Sequence, residues 1–157
     1  NILNYSYDVT EIPSQKSILK PLFVSNLTIP EKKFIEYLDN SDEIEWWYRN
    51  GDTDNTHFAV EYEESNMKKP FYVDFIIKLK NGRIGYMDTK SGWTVKDAVS
   101  SGKVKGLNQF LNKDSCFFGG IVINTNQTDC SGSWRMSKNK IINLEMENKD
   151  DWEALCF

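Results

Sequence analysis

The stretch FYVDFIIKLKNGRIGYMDTKSG, residues 71–92, decides how the rest of the sequence is interpreted. It predicts two strands, about 71–79 and 83–90, joined by a tight turn. The first strand carries Asp74 within an apolar run, and the second ends in Asp88-Thr89-Lys90. Two acids and a lysine at the end of a buried hairpin cost free energy unless their charge is compensated. A divalent metal ion and a phosphate would compensate it, which points to phosphodiester cleavage.

The length of the turn decides whether the two acids face each other, because side chains alternate between the faces of a sheet. A two-residue turn at Asn81-Gly82 would put Asp74 and Asp88 on opposite faces. A three-residue loop, residues 80–82, fits a type I turn followed by a left-handed glycine and sets the two acids directly opposite each other. Lys90 then lies one step along on the same side. We expect the three-residue loop, although a bulge in the first strand would also give this register. An ordinary hairpin with surface charges is the alternative.

Two facing carboxylates repel each other, and one of them stays protonated unless a cation lies between them. Mg²⁺ suits such oxygen ligands because it keeps several waters and accepts a few carboxylates together with substrate phosphate. We expect Mn²⁺ to substitute for it. The metal would polarise the phosphate and help to generate hydroxide from bound water. Lys90 would orient that water or stabilise charge on the phosphate.

The size and composition of the chain predict one soluble domain. It has 157 residues, of which 39% are hydrophobic and 27% charged, and no apolar run approaches the roughly 18 residues of a membrane span. Cys116, Cys130 and Cys156 form no CxxC pair, which favours a reduced, cytoplasmic setting. The net charge of −4 is unusual for a stand-alone nucleic-acid binder. Since the sequence begins at Asn1 rather than methionine, we expect a fragment whose DNA affinity comes mostly from another part of a larger protein.

Periodicity predicts a mixed sheet with a helix on each face, in the order helix, three or four strands, helix, strand. Thr28 is a good cap for the first helix, with Pro30 in its first turn and Glu31 completing a capping box. The other predicted elements are strands at 44–48, 57–63 and 117–124, a helix at 94–111 bent near Ser101-Gly102, and closing strands at 134–136 and 141–146.

At Asp74 and at Asp88-Thr89-Lys90 the chain resembles the PD-(D/E)XK nuclease superfamily, whose signature is an acid on one strand and acid-x-lysine on the next. Val73 stands where the family motif has a proline. The surrounding sequence resembles the nuclease domain at the C-terminal end of type III restriction enzyme Res subunits and related helicase-like proteins. Besides the hairpin, that resemblance is carried by EKKFIEYLD (31–39), IEWWYRNG (44–51), HFAVEY (57–62) and FFGGIVI (117–123).

The resemblance implies an α/β, restriction-endonuclease-like fold with a mixed central β-sheet flanked by helices. Residues 28–125 would form the core of a single nuclease-like domain 1–157, with 1–27 as an N-terminal arm and 126–157 as closing strands. It implies a metal-dependent deoxyribonuclease acting on double-stranded DNA, beside an upstream helicase-like motor domain and a modification (methyltransferase) subunit. The sequence has no GxxxxGK[ST] phosphate loop, so we expect no ATP site in this chain.

Two alternatives to the nuclease stay open. One is a catalytically silent domain of the same fold that acts as a DNA-binding or protein-docking module. The other is a plain structural domain whose acids are solvated, which the two-residue turn would favour.

The resemblance also assigns the site residues. Asp74, Asp88 and Lys90 are the expected catalytic residues, with Glu31 as the fourth, and Asp74, Asp88 and Glu31 are the expected metal ligands. Glu31 matches the first-helix acid of the superfamily, and its alternative role is the capping box with Thr28.

Lys103, Gln109 and Trp93 are candidates for contact with DNA or phosphate, although a lysine that passes along the core gives the same pattern as Lys103. Four further side chains could have a functional role, but each is more simply explained by its structural surroundings. His57, the only histidine, is expected to be hydrogen-bonded at a strand end. Trp46 and Trp47 are expected to pack in the sheet rather than to stack on bases, and Arg49 is expected to be solvated.

Overall fold

The computed structural model describes residues 10–24, 27–51, 56–91, 102–138 and 149–157. The helices are α1 (Ile29–Asn40) and α2 (Lys103–Leu111), and a 3-10 turn spans Lys149–Asp151. The strands are β1 (Thr10–Ile12), β2 (Leu22–Val24), β3 (Ile44–Arg49), β4 (Val60–Glu64), β5 (Met67–Phe71), β6 (Phe75–Leu79), β7 (Ile84–Thr89), β8 (Phe117–Asn124), β9 (Trp134–Ser137) and β10 (Trp152–Ala154).

A six-stranded sheet in the order β10-β9-β8-β7-β6-β3 forms the centre of the described chain. Strands β7 and β8 pair in parallel, and the other neighbours pair antiparallel. Two small antiparallel sheets, β1-β2 and β4-β5, lie outside it. The predicted α/β class with a mixed central sheet is therefore confirmed.

Helix α1 begins where the sequence predicts. The Thr28 side chain accepts a hydrogen bond from the Glu31 backbone N–H, and the Glu31 carboxylate accepts one from the Thr28 N–H, so the capping box is complete. This arrangement satisfies two backbone donors that a helix start otherwise leaves without partners. Phe34, Ile35 and Leu38 form the buried side of the helix.

Each face of the central sheet carries its own hydrophobic core. On one face, Phe34 and Leu38 of α1 pack with Trp47, Phe75 and Met87 of the sheet. On the other face, α2 packs through its buried apolar residues onto the sheet and onto strand β4; this core includes Val104, Leu107, Leu111, Tyr62, Tyr86 and Ile121. The predicted arrangement of one helix on each face is confirmed.

The close contact between α2 and β4 depends on a glycine. A Cβ built on Gly106 would lie 2.6 Å from the Tyr62 Cβ and 2.8 Å from the Glu61 carbonyl oxygen. Real Cβ atoms do not approach other atoms so closely, and any larger residue would push the helix away from the strand. Gly106 therefore sets the distance between α2 and β4.

The hairpin between β6 and β7 has the predicted three-residue loop. The Leu79 N–H donates to the Arg83 carbonyl at 3.0 Å, and the Gly82 N–H donates to the Leu79 carbonyl at 2.9 Å. Gly82 has the left-handed φ of +88° that this loop requires. The register pairs Phe75 with Met87, so one step further along it sets Asp74 opposite Asp88.

The predicted bounds of the first hairpin strand, 71–79, are wrong. Phe71 belongs to β5, which pairs with β4, and the central sheet begins again only at Phe75. The sequence prediction missed β5 and merged its last residue with β6. The turn before β5 explains the error, because Ser65 and Asn66 both have positive φ, of 52° and 60°, without a glycine to mark it. Strand β4 accordingly spans Val60–Glu64 rather than 57–63.

The remaining predictions divide between confirmed elements and residues outside the described ranges. Strands 44–48, 117–124 and 134–136 are confirmed with small shifts of their ends. The second helix is present from Lys103 onward, while residues 92–101 lie outside the described ranges, as does the predicted strand 141–146. Strand β10 pairs with β9 at the edge of the sheet. Within the described ranges, neither helix is long and apolar enough to cross a membrane.

Candidate active site

Asp74, Asp88 and Lys90 come together at one end of the β6-β7 hairpin. Asp88 and Lys90 are two residues apart at the end of β7 and project to the same side of the sheet. The Lys90 ammonium forms an ion pair with the Asp88 Oδ2. Asp74 precedes β6, and its charge contributes to the pKa of both Asp88 and Lys90. The structure thus brings the three predicted catalytic residues together.

Asp88 is the most deeply buried acid of this group, with 1% of its surface exposed. Burial, and next the charge of Asp74, raise the pKa of its carboxyl to about 7, although Lys90 and Lys103 pull it down. Burial also opposes the charge on Lys90, yet the nearby carboxylates outweigh it, so the pKa of Lys90 is raised. The ion pair therefore keeps the lysine charged more effectively than it keeps the acid charged.

Asp74 is held by the threonine between the acid and the lysine. Its Oδ2 accepts hydrogen bonds from the Thr89 N–H and from the Thr89 hydroxyl, both at 2.7 Å. Burial raises the pKa of Asp74, and Lys90 and Thr89 only partly offset this effect. An additional positive charge would therefore favour the ionised form of both acids.

Glu31 lies near this group but is engaged by other partners. Its Oε2 accepts from the Thr28 N–H at 2.8 Å and from the Thr28 hydroxyl at 2.7 Å. Its Oε1 forms an ion pair with the Arg49 Nη2 at 2.6 Å. Burial alone would raise the pKa of Glu31, but the hydrogen bonds from Thr28 and the charge of Arg49 lower it. The charge of Glu31 nevertheless reaches Asp74 and Lys90, so the capping role and proximity to the site both hold.

The three residues proposed to contact DNA lie in different places. Lys103 begins α2, and its charge lowers the pKa of Asp88; its Nζ also lies 6.0 Å from the centre of the Phe71 ring. Gln109 is exposed and lines a cavity of about 310 Å³ with the tip of the β4-β5 hairpin. Trp93 lies outside the described residues. Of these three residues, Lys103 is therefore the one that the structure shows near Asp88.

The simpler explanations hold for the histidine and for Trp47. His57 accepts a hydrogen bond from the Gly51 N–H through its Nδ1 at 3.2 Å. Trp47 is fully buried, its ring packs edge-on against Phe75, and its Nε1 donates to Asp39 at 2.8 Å. Trp46 is half-buried on β3. The three cysteines are free thiols.

Arg49 and Asn50 have roles that the sequence did not indicate. Arg49 was expected to be solvated, but it pairs with Glu31 and donates through Nη1 to the Asn50 carbonyl at 2.8 Å. Asn50 is 1% exposed, and its amide donates to the carbonyls of Phe58 and Val73. The only available signal was an asparagine after a strand, which more often marks a turn.

The donor atoms at this site fit a hard cation with a small number of protein ligands. Asp74 and Asp88 provide carboxylate oxygens, and both have raised pKa values that a cation would relieve. Mg²⁺ is commonly bound by one or two carboxylates and several waters. In the described ranges, however, no group of three or more His, Cys, Asp or Glu side chains could hold a metal. Glu31, predicted as a third ligand, is engaged by Thr28 and Arg49 in this structure, and its role as a ligand stays a prediction.

Comparison with known proteins identifies a family but no activity. The family model described as YagJ family matches residues 20–153, most of the chain, which therefore belongs to the YagJ family. No curated protein and no solved structure matches the chain.

Proposed function

For this YagJ family chain, we propose the function of a Mg²⁺-dependent DNA endonuclease domain that hydrolyses phosphodiester bonds without a covalent intermediate. The proposal includes a restriction-endonuclease-like fold of the PD-(D/E)XK type. The observation that carries it is the convergence of Asp74, Asp88 and Lys90 at the end of the β6-β7 hairpin. Burial, and next the charge of Asp74, raise the pKa of the Asp88 carboxyl to about 7, and a carboxyl pKa perturbed in this way is typical of functional sites.

Asp74 and Asp88 would each bind the cation through a carboxylate oxygen. Asp88 is rigid because it is buried at the end of a central strand, and Asp74 is fixed by its two hydrogen bonds from Thr89. When bound, Mg²⁺ would polarise the scissile phosphate and make a water more acidic. Both carboxylates would then be ionised at neutral pH, because a nearby cation lowers their pKa.

Lys90 supplies the positive charge that the chain itself contributes to the reaction. Its raised pKa keeps the ammonium protonated at neutral pH. A fixed ammonium beside the two acids can orient the attacking water and stabilise the negative charge that develops on the phosphate. Lys103 adds a second positive charge within reach of Asp88, which makes it the stronger of the proposed phosphate contacts.

The charge distribution supports a partner that supplies most of the DNA affinity. Four lysines of the described chain are paired with glutamates and so add little to a basic surface: Lys33 with Glu36, Lys68 with Glu61, Lys69 with Glu64, and Lys78 with Glu45. The net charge is −4. By analogy with type III restriction enzymes, we assign most of the DNA affinity to a helicase-like motor domain and a methyltransferase subunit. We place this assembly in the cytoplasm.

The test is cleavage of double-stranded DNA with Mg²⁺ or Mn²⁺, with the chain supplied in its full-length protein. Lys90→Ala should lower the cleavage rate by about 10²–10³-fold, the typical effect of removing one group that stabilises a transition state. The matched control is Lys33→Ala, which removes a lysine that is paired with Glu36 on an exposed part of α1 and should leave cleavage unchanged. Cleavage at the wild-type rate by Lys90→Ala would contradict the proposal.

A second candidate is a silent domain of the same fold that binds DNA or docks another protein. It is favoured by the engagement of Glu31 with Thr28 and Arg49, which removes one acid from the expected ligand set. Calorimetric titration with Mn²⁺ separates the two candidates. The nuclease requires binding that Asp74→Asn and Asp88→Asn abolish, whereas the silent domain requires no such binding.

A further inference from the structure

Thr89 makes an unusual pair of contacts for a residue at the end of a strand. It is 7% exposed, and both its backbone N–H and its hydroxyl donate to the same oxygen, the Asp74 Oδ2, at 2.7 Å. Two donors on one carboxylate oxygen fix the rotation of the carboxylate group. The direction of the other oxygen, Oδ1, is then set as well.

The backbone of Asp74 is anchored separately. Asp74 lies in the irregular segment between β5 and β6, one residue before β6 begins. The Asn50 N–H donates to the Asp74 carbonyl at 2.8 Å, and the Asn50 side-chain amide donates to the Val73 carbonyl at 2.9 Å. The backbone of Asp74 is therefore held by Asn50, and its side chain is held by Thr89.

We propose that Thr89 is the positioning residue of the metal site: by binding one oxygen of Asp74, it directs the carboxylate toward a divalent cation shared with Asp88. This inference rests on the proposed function, which requires a metal at these acids. Hydrogen bonds to metal-ligating carboxylates orient the ligand, and their loss typically weakens metal binding by about 10–100-fold. Thr89 touches neither cation nor substrate in this account and acts only through Asp74.

The test compares Mn²⁺ binding by wild-type protein, Thr89→Val and Thr89→Ser, measured by isothermal titration calorimetry. Valine keeps the branched shape and the backbone N–H but removes the hydroxyl, whereas serine keeps the hydroxyl. We expect Thr89→Val to bind Mn²⁺ about 10–100-fold more weakly and Thr89→Ser to recover most of the affinity. Irreversibly misfolded protein would lower the number of binding sites per chain, whereas reversible unfolding would lower the apparent affinity. The titrations are therefore made at a temperature at which circular dichroism shows every variant to be fully folded.

Each other outcome has a defined meaning. If wild-type protein binds Mn²⁺ through Asp74 and Thr89→Val binds it equally tightly, the positioning role is wrong while the metal site stands. If Thr89→Ser is as weak as Thr89→Val, the hydroxyl is not the group responsible, and the inference also fails. If wild-type protein shows no Mn²⁺ binding that Asp74→Asn abolishes, the proposed function fails and this inference fails with it.

Discussion

The burial of Asp88 beside Asp74 makes the stability of the metal-free protein depend on pH. Its folded pKa of about 7 lies above the ordinary value of 3.8, so the folded protein retains a proton that the unfolded chain releases. The stability that this proton provides is fully present below about pH 4 and is lost as the pH rises toward 7. At about 1.4 kcal/mol for each pH unit, the loss amounts to about 4 kcal/mol.

Asp88→Asn tests this magnitude because asparagine resembles the protonated acid in size and cannot ionise. We expect the variant and the wild-type protein to have similar free energies of unfolding at about pH 4. At about pH 8 the variant should be more stable by up to about 4 kcal/mol. The assay is urea unfolding in the presence of EDTA, followed by tryptophan fluorescence. Asp42→Asn, at an exposed position in the turn after α1, is the matched control.

A difference in the free energy of unfolding between Asp88→Asn and the wild-type protein that stays constant from about pH 4 to 8 would contradict this prediction. Such a result would mean that Asp88 ionises in the folded protein as it does in the unfolded chain. Saturating Mg²⁺ adds a second comparison, because a cation beside the acids favours their ionised form. At pH 8, Mg²⁺ should stabilise the wild-type protein more than Asp88→Asn.

Three further predictions concern the framework of the site. Phe34→Ala should lower the free energy of unfolding by about 3–5 kcal/mol, because the ring is fully buried against Phe75 and Trp134; a loss below about 1 kcal/mol in urea unfolding would contradict the α1 core. Thr28→Ala should cost about 1 kcal/mol by removing the cap of α1, and thermal unfolding that matches the wild-type protein would count against the capping box. Gly82→Ala should cost about 1–2 kcal/mol because the backbone is left-handed, although nothing crowds an added Cβ; unchanged stability would argue for a different loop.

The parts of the fold with local signals were predictable from the sequence. Thr28, Pro30 and Glu31 mark the start of α1 through a capping box that needs only neighbouring residues. The loop at residues 80–82 was predictable because Gly82 suits a left-handed position that few other residues adopt. The closeness of Asp74 and Asp88 then followed from the alternation of side chains along two strands.

The parts that depend on distant contacts were not predictable. Strand β5 was missed because its turn at Ser65 and Asn66 has positive φ without glycine. The irregular segment between β5 and β6 is held at Val73 and Asp74 by Asn50. Asn50 lies 24 positions before Asp74 in the sequence and contacts this segment only after folding. The ion pair between Glu31 and Arg49 likewise joins α1 to β3, and no local sequence pattern predicts it.

An anomalous-difference map from crystals soaked in Mn²⁺ would show whether Asp74 and Asp88 share a divalent cation. We expect a peak within about 2.0–2.3 Å of carboxylate oxygens from both Asp74 and Asp88, with the Lys90 ammonium beside it. A map without a peak between these two acids, from crystals whose hairpin is well ordered, would contradict the proposed metal site.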